Sequence, residues 1–218
     1  MKRTQWLFLL LLTVAMATTA ATCGGSSSSG SSSPAADDDT SPADDDDNDD
    51  MSPDDDDDND SAGETTFTDS TTGLMWQNGE NVGKGYYDWT DAANYCDALT
   101  WAGLSGWQLP SIDQLRTLIR GCAATVTGGG CTVSDASSCL DLSCDNSVCI
   151  GCAADGGPGG SGAYWPSQIT GMLGFYYWSG SLVSDYNGYA WYVNFAYGEV
   201  DYEAISNVDM IVRCVRQP

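Results

Sequence analysis

Residues 175–216 read FYYWSGSLVSDYNGYAWYVNFAYGEVDYEAISNVDMIVRCVR, and this stretch decides the fold. Its aromatic and β-branched runs are separated by the polar residues 184–187, by Gly198 and by residues 206–209. Runs of this composition between short turn-forming breaks are typical of neighbouring antiparallel strands. The pattern therefore predicts an antiparallel β-meander at the end of the chain.

Two helical patterns precede the meander. In residues 88–99 apolar side chains recur on one face of a helix, and Asp88 is suited to cap its amino end. Ser111 and Gln114 have the spacing of a capping box, which predicts a second helix over residues 112–120. The predicted fold class is α+β, with two helices followed by the antiparallel β-meander.

Composition divides the chain into three parts. Residues 1–22 are apolar after a basic start, and residues 23–63 consist almost entirely of small and acidic residues. Residues 64–218 contain all but two of the aromatic residues, so only they can bury a core. Their length suits a single globular domain, which opens with alternating residues around Gly73 that suggest two short strands.

Residues 1–22 have the layout of a secretory signal peptide, with a basic start, an apolar run of twelve residues and a small-residue end. Cys23 follows in AATCG, residues 20–24, which resembles a bacterial lipobox. Cleavage there would make Cys23 a diacylated N-terminus, and each buried methylene adds about 0.8 kcal/mol of membrane affinity. The alternative is ordinary cleavage with Cys23 left as a spare thiol. Lipidation is favoured because it leaves eight cysteines, an even number.

The segment after Cys23 is predicted to be a disordered tether. Residues 24–33 read GGSSSSGSSS, and the Asp runs that follow, up to Asp60, hold 15 of the 31 acidic residues. A chain with so few apolar residues cannot offset the entropy of folding, and its like charges extend it. We interpret it as a spacer. The alternative is calcium binding, but no Asp run has the glycine that an EF-hand loop needs at its sixth position.

Charge and composition exclude several classes of function. The formal net charge is −24, and the folded part is acidic even without the tether, so its surface repels nucleic acid and anionic polysaccharide unless cations bridge the charges. The chain has no histidine, which excludes Ser-His-Asp and Cys-His catalysis and every histidine-containing metal site. We therefore expect no enzyme activity, no metal site and no resident cofactor, although calcium binding is left open.

Residues 120–163 are predicted to be a disulfide-rich insertion with little core of its own. This Gly-rich and Ser-rich segment holds six cysteines: Cys122, Cys131, Cys139, Cys144, Cys149 and Cys152. Export to an oxidising compartment favours three disulfides, for which fifteen connectivities are open. The alternative is a zinc site formed by Cys139, Cys144, Cys149 and Cys152, in which the last two have CxxC spacing.

A series of motifs resembles one known family. In chain order they are TGLMWQ at 72–77, WTDAANYC at 89–96, GWQLPSIDQLRTLI at 106–119, YYWSGS at 176–181, AWYVNFAYG at 190–198 and VRCVR at 212–216. The series resembles the C-terminal domain of the Legionella collagen-like protein, although that family usually has Arg where this chain has Gln108. Two of the motifs are also similar to the formylglycine-generating enzyme and, more distantly, to C-type-lectin-like domains.

The resemblance implies a C-type-lectin-like fold and a disulfide between Cys96 and Cys214. Such a bond would join the first helix to the last strand. The resemblance does not imply the activity of the formylglycine-generating enzyme, because we find no reactive cysteine pair that matches its catalytic motif, and a shared fold does not establish a shared function.

Aromatic residues give the candidate ligand site. Five tryptophans lie in periodic runs and are predicted to be buried: Trp76, Trp89, Trp107, Trp178 and Trp191. The turn formed by Asp185, Tyr186 and Asn187 is a candidate for binding sugar hydroxyls or calcium, because recognition residues concentrate on turns of a rigid scaffold. Tyr164 and Trp165, which lie outside the periodic runs, are predicted to join this site.

Three functions remain open at this point. The first is an exported, lipid-anchored protein at the outer membrane or cell surface, with an adhesin-like domain that binds an extracellular glycan or protein. The second is a structural envelope lipoprotein without a specific small ligand. The third, an enzyme, is disfavoured by the absence of histidine and of a recognisable nucleophile or carboxylate pair.

Overall fold

A computed structural model describes residues 63–172 and 176–217. The predicted signal peptide, the predicted lipidation site at Cys23 and the predicted tether up to residue 62 lie outside the described residues. The elements follow in the order β1 (Thr65–Thr68), β2 (Met75–Asn78), α1 (Trp89–Ala98), α2 (Ile112–Arg116), β3 (Tyr176–Leu182), β4 (Tyr189–Asn194), β5 (Glu199–Ala204) and β6 (Val215–Arg216). Short 3₁₀ turns lie at Leu142–Cys144 and Gly160–Gly162.

Both α-helices begin at the caps that the sequence indicates. The Asp88 carboxylate accepts a hydrogen bond from the Asp91 N–H at 2.8 Å, which satisfies one of the free donors at the start of α1. At the start of α2, Ser111 and Gln114 form both hydrogen bonds of a capping box.

Helix α2 is shorter than the predicted range of 112–120. After Arg116 the N–H groups of Leu118 and Ile119 bond to carbonyls three residues back, and the N–H of Arg120 bonds to Tyr164 O at 3.0 Å. The last turn therefore tightens, and the chain leaves the helix axis. Leu118 and Ile119 are nevertheless fully buried, because this tight turn still points them into the core.

The fold is α+β with two antiparallel three-stranded sheets, and this arrangement corrects the predicted meander. Strands β3, β4 and β5 pair in sequence order, as predicted. The fourth run, residues 210–216, does not continue them. Ile211 forms a parallel bridge to Tyr177, and β6 then pairs with β2 in the other sheet, β1-β2-β6. Every residue from Met210 to Val215 is buried, so the segment shows no alternation of buried and exposed residues. The sequence pattern alone therefore does not indicate which strand lies beside it.

The insertion contributes to the core, contrary to the prediction that it has little core. Cys122, Val133 and Ala163 are buried in the same hydrophobic cluster as Leu118 and Val193. The cluster lies between the inner face of the sheet β3-β4-β5 and helix α2. The insertion is therefore a packed layer of the domain.

Disulfide bonding is confirmed for all eight cysteines of the described residues. The pairs are Cys96–Cys214, Cys122–Cys152, Cys131–Cys149 and Cys139–Cys144. The first is the pair that the family resemblance implies. The other three use every cysteine of the proposed zinc site, so the structure contradicts that alternative.

A buried arginine organises the insertion. The Arg116 side chain is 2% exposed, and its guanidinium donates to the backbone carbonyls of Thr125, Val126, Cys131 and Val133. Burial lowers the pKa of Arg116, and the nearby Asp113 carboxylate partly opposes this effect. One side chain thus supplies donors to carbonyls of a segment that has no regular strand or helix to supply them.

Candidate ligand-binding site

The structure separates the five predicted site residues. Asp185, Tyr186 and Asn187 are exposed in the turn between β3 and β4. Tyr164 and Trp165 are only 3% and 0% exposed, so the prediction that they present rings to a ligand is wrong. Their position outside a periodic run did not indicate exposure, because irregular segments also enter the core.

Trp165 instead belongs to an aromatic cluster in the core. Its ring packs on Phe195 and on Tyr177, with centroid distances of 5.3 and 5.8 Å. The Arg213 guanidinium lies 5.0 Å from the Trp165 centroid and 5.7 Å from that of Tyr177. This buried cation also donates to the Thr170 carbonyl at 2.8 Å. Trp165 is therefore a structural residue.

Three tyrosines form an aromatic surface at the end of the sheet. Tyr186 stacks on Tyr189 with 4.0 Å between ring centroids and 14° between planes. Tyr202 lies edge-on to both rings, at 6.3 Å from Tyr186 and 6.0 Å from Tyr189. We call Tyr186, Tyr189 and Tyr202 the tyrosine platform. Tyr202 was not predicted as a site residue, because its place inside a strand pattern indicated only packing.

The sheet register explains how these rings meet. Tyr189 pairs with Ala204 and Trp191 pairs with Tyr202, so the side chains of Tyr189, Trp191 and Tyr202 lie on one face. This face is the core face, and Trp191 is fully buried on it, with its ring 5.6 Å from Tyr202. Towards the β3–β4 turn the core ends, and the platform emerges there with Tyr186 41% exposed.

The insertion holds the platform's turn in place. The Leu140 carbonyl accepts hydrogen bonds from the Trp191 indole at 3.1 Å and from the Ser184 N–H at 3.0 Å. The Asp185 carboxylate accepts from the Leu142 N–H at 2.8 Å. The Cys139–Cys144 loop is thereby attached to the turn. Asp185, predicted as a ligand contact, has at least one oxygen engaged within the protein.

Two hydroxyl groups of the platform, those of Tyr189 and Tyr202, are kept in their neutral form. The pKa of Tyr189 is raised, first by its hydrogen bond with Tyr186 and then by the charge interaction with the same residue. Burial raises the pKa of Tyr202, and the Asp201 carboxylate adds to the effect. Neutral rings with protonated hydroxyls can stack on apolar ligand faces and exchange hydrogen bonds with polar ones.

Strand β5 forms one of the two edges of the sheet β3-β4-β5. The Val200 N–H donates to Cys149 O at 2.9 Å, so the insertion covers the start of this edge. Further along, the Tyr202 N–H donates to the Asp201 carboxylate at 2.8 Å, and the Ala204 N–H donates to the Glu203 carboxylate at 2.7 Å. The outward donors of β5 are therefore bonded within the chain.

A second concave region lies beside the carboxyl end of α2. This cleft of about 590 Å³ is lined by threonines, among them Thr117 and Thr127, and by Arg120. The Arg120 guanidinium is paired with the Asp69 carboxylate at 3.3 Å and also bonds to the carbonyl of Ile119 at 3.1 Å. The positive charge of Arg120 is therefore already balanced by Asp69, and we do not assign a ligand to this cleft.

The described residues contain no group of three or more histidine, cysteine or acidic side chains placed to hold a metal ion. Within the same residues, no helix has the length and apolarity needed to cross a bilayer.

Comparison with known proteins gives one family. No curated protein and no solved structure matches the chain. The family model described as the Lcl C-terminal domain matches residues 65–216, which run from the start of β1 to the end of β6. This match confirms the resemblance that the motifs indicated, and the chain belongs to the Lcl C-terminal domain family.

Proposed function

We propose that this chain is an exported, lipid-anchored bacterial surface protein whose Lcl C-terminal domain is an adhesin-like, ligand-binding module. The observation that carries the proposal is the tyrosine platform, in which Tyr186 is exposed and Tyr189 and Tyr202 are half-buried. The insertion holds its turn through Asp185 and Leu140. Stacked tyrosines provide a large contact area with little conformational freedom to lose on binding. The negative charge of the domain favours a neutral glycan over an anionic one.

We also propose that the fold is C-type-lectin-like. Two features support this assignment: the first and last strands, β1 and β6, share one sheet through β2, and the Cys96–Cys214 disulfide joins helix α1 to the segment before β6. Because a fold does not determine a ligand, this assignment adds no weight to the choice of glycan over protein as the partner.

The glycan prediction centres on Tyr186. We expect Tyr186→Ala to weaken binding to a neutral glycan about fivefold or more, because a truncated aromatic contact typically costs at least about 1 kcal/mol. Tyr186→Phe keeps the ring and is expected to lose less. The measurement is a glycan array on the purified full-length protein, with and without calcium, followed by titration of the best glycan.

The matched control is Tyr86→Ala, which removes a tyrosine that is 54% exposed and outside the platform. Equal binding by the Tyr186→Ala variant and the unmodified protein would contradict a platform-based site. An array without signal under either condition would instead favour the second candidate, a structural envelope lipoprotein. Turnover of a substrate that a single substitution abolishes would revive the enzyme hypothesis.

The anchor prediction centres on Cys23. We expect the mature protein to lack residues 1–22, to carry acyl chains on Cys23 and to be recovered from the membrane fraction. Intact mass spectrometry before and after reduction checks this, since reduction should add two hydrogens for each of the four disulfides. The Cys23→Ser variant is the control and should be exported without acyl mass. A cytosolic protein in which all nine cysteines, Cys23 included, are free thiols would overturn export and anchoring together.

A further inference from the structure

A pair of tyrosines on the other face of the sheet lines a separate cavity. Tyr176 on β3 and Tyr192 on β4 have their ring centroids 5.4 Å apart and their planes at 90°. They line a cavity of about 250 Å³ together with Glu203, Asn207, Asp209 and Met210. Tyr192 is 8% exposed and Tyr176 is 43% exposed, so one ring forms the floor of the cavity and the other stands at its rim.

The sheet register places carboxylates beside these rings. Tyr192 pairs with Asp201, and Ala190 pairs with Glu203, so Asp201 and Glu203 lie on the same face of the sheet as Tyr192. Glu203 is held at the cavity because its carboxylate accepts the Ala204 N–H at 2.7 Å. Asp209 lines the cavity from the segment before β6. Neither ion pair formed among residues 63–172 and 176–217 involves Asp201, Glu203 or Asp209.

The charge of this surface affects the groups around it. Burial raises the pKa of Tyr192, and the carboxylates of Asp201 and Glu199 raise it further. Burial also raises the pKa of Asp201 and of Glu199. Burial disfavours any charge at this place, but the part of the Tyr192 shift that comes from Asp201 and Glu199 shows that these carboxylates oppose a further negative charge. The same carboxylates would attract a bound cation.

We propose that the cavity formed by Tyr176, Tyr192 and Glu203 binds the head group of a small organic ammonium cation. Two aromatic rings at right angles form a corner, and the electron-rich face of an aromatic ring attracts a cation, more strongly when the cation is partly desolvated. Glu203 and Asp209 supply the opposite charge. The cavity is smaller than the usual pocket for a drug-sized ligand, so it suits a head group such as trimethylammonium.

The test uses choline and its uncharged carbon analogue, 3,3-dimethylbutan-1-ol, with the full-length protein at constant ionic strength. We expect choline to produce saturable NMR shifts of the Tyr176 and Tyr192 rings, and the analogue to bind about tenfold more weakly. Equal binding of the two compounds, or no saturable shift of these rings, would overturn the proposal. Cations that collect loosely on the Asp-rich tether do not shift these rings.

Single substitutions test whether choline binds in the cavity lined by Tyr176 and Glu203. Tyr176→Ala is expected to weaken choline binding about tenfold, Glu203→Gln about fivefold, and Tyr176→Phe about twofold or less. Tyr197→Ala is the matched control, because Tyr197 is also 43% exposed but does not line this cavity, and it should leave choline binding unchanged. If Tyr176→Ala unfolds the domain, Glu203→Gln still decides the question: unchanged choline affinity in that variant would refute a charge-based site.

Discussion

Replacement of both Cys96 and Cys214 by alanine is expected to lower the free energy of unfolding by about 5 kcal/mol. The two cysteines are 118 residues apart, and this disulfide closes the longest loop of the four. A cross-link that closes a long loop removes more freedom from the unfolded chain than one that closes a short loop. The measurement is denaturant unfolding of the full-length protein under non-reducing conditions, followed by tryptophan fluorescence.

The matched control for this prediction is the double alanine variant of Cys139 and Cys144. These cysteines are only 5 residues apart, so the same reasoning gives a loss of about 2 kcal/mol. Their loop lies on the β3–β4 turn, where Leu142 bonds to Asp185, and its loss should therefore act locally. Equal losses in the two double variants would show that loop length does not determine the stabilisation here.

Arg116→Met is expected to lower the free energy of unfolding by about 4 kcal/mol. The variant keeps much of the apolar volume but removes the donors to four backbone carbonyls, and each buried acceptor left without a donor costs about 1–3 kcal/mol unless water reaches it. Denaturant unfolding gives the total loss. Amide hydrogen exchange should show that residues 123–133 lose protection before the strands of the sheet β3-β4-β5 do.

Arg120→Met is the control for Arg116. Arg120 is on the same stretch of chain, but its side chain is 36% exposed, and its partner Asp69, which is 5% exposed, also accepts hydrogen bonds from the Thr71 N–H and the Thr72 hydroxyl. Because the Asp69 carboxylate keeps these two donors, the loss should be about 1–2 kcal/mol, well below that of Arg116→Met. If Arg116→Met were no more destabilising than Arg120→Met, the buried guanidinium would not be what organises the insertion.

Local signals in the sequence predicted the parts of the fold that local interactions determine. The cap at Asp88 and the capping box of Ser111 and Gln114 depend on residues three positions apart, so the sequence alone is sufficient to find them. The same holds for strands β3, β4 and β5, whose breaks coincide with turns such as that at Gly198. The ordered motifs were sufficient to identify the family.

Long-range contacts account for what the sequence could not predict. Residues 210–215 are all buried without alternation, so periodicity could not show that β6 pairs with β2 and not with β5. The acceptors of Arg116 are carbonyls of irregular segments, which leave no side-chain pattern.

The candidate sites were predicted only in part, because they too depend on long-range contacts. Tyr186 was found because it lies in an exposed turn, whereas its partner Tyr202 and the pair of Tyr176 and Tyr192 depend on strand register. Tyr164 and Trp165 lie outside the periodic runs, which is why the sequence predicts them at the surface. Burial of these two rings depends on how the segment after the insertion packs against α2 and the sheet, which composition does not reveal.

The outer strand of a sheet is also the place where one protein molecule can add its backbone to another. Along β5 that route is closed, because the insertion bonds to Val200, and the chain's own acids bond to the N–H groups of Tyr202 and Ala204. A second strand approaching this side would have to displace those carboxylates and accept their repulsion. Many copies of the domain can thus stand side by side at high density without fusing into fibrous aggregates through this strand.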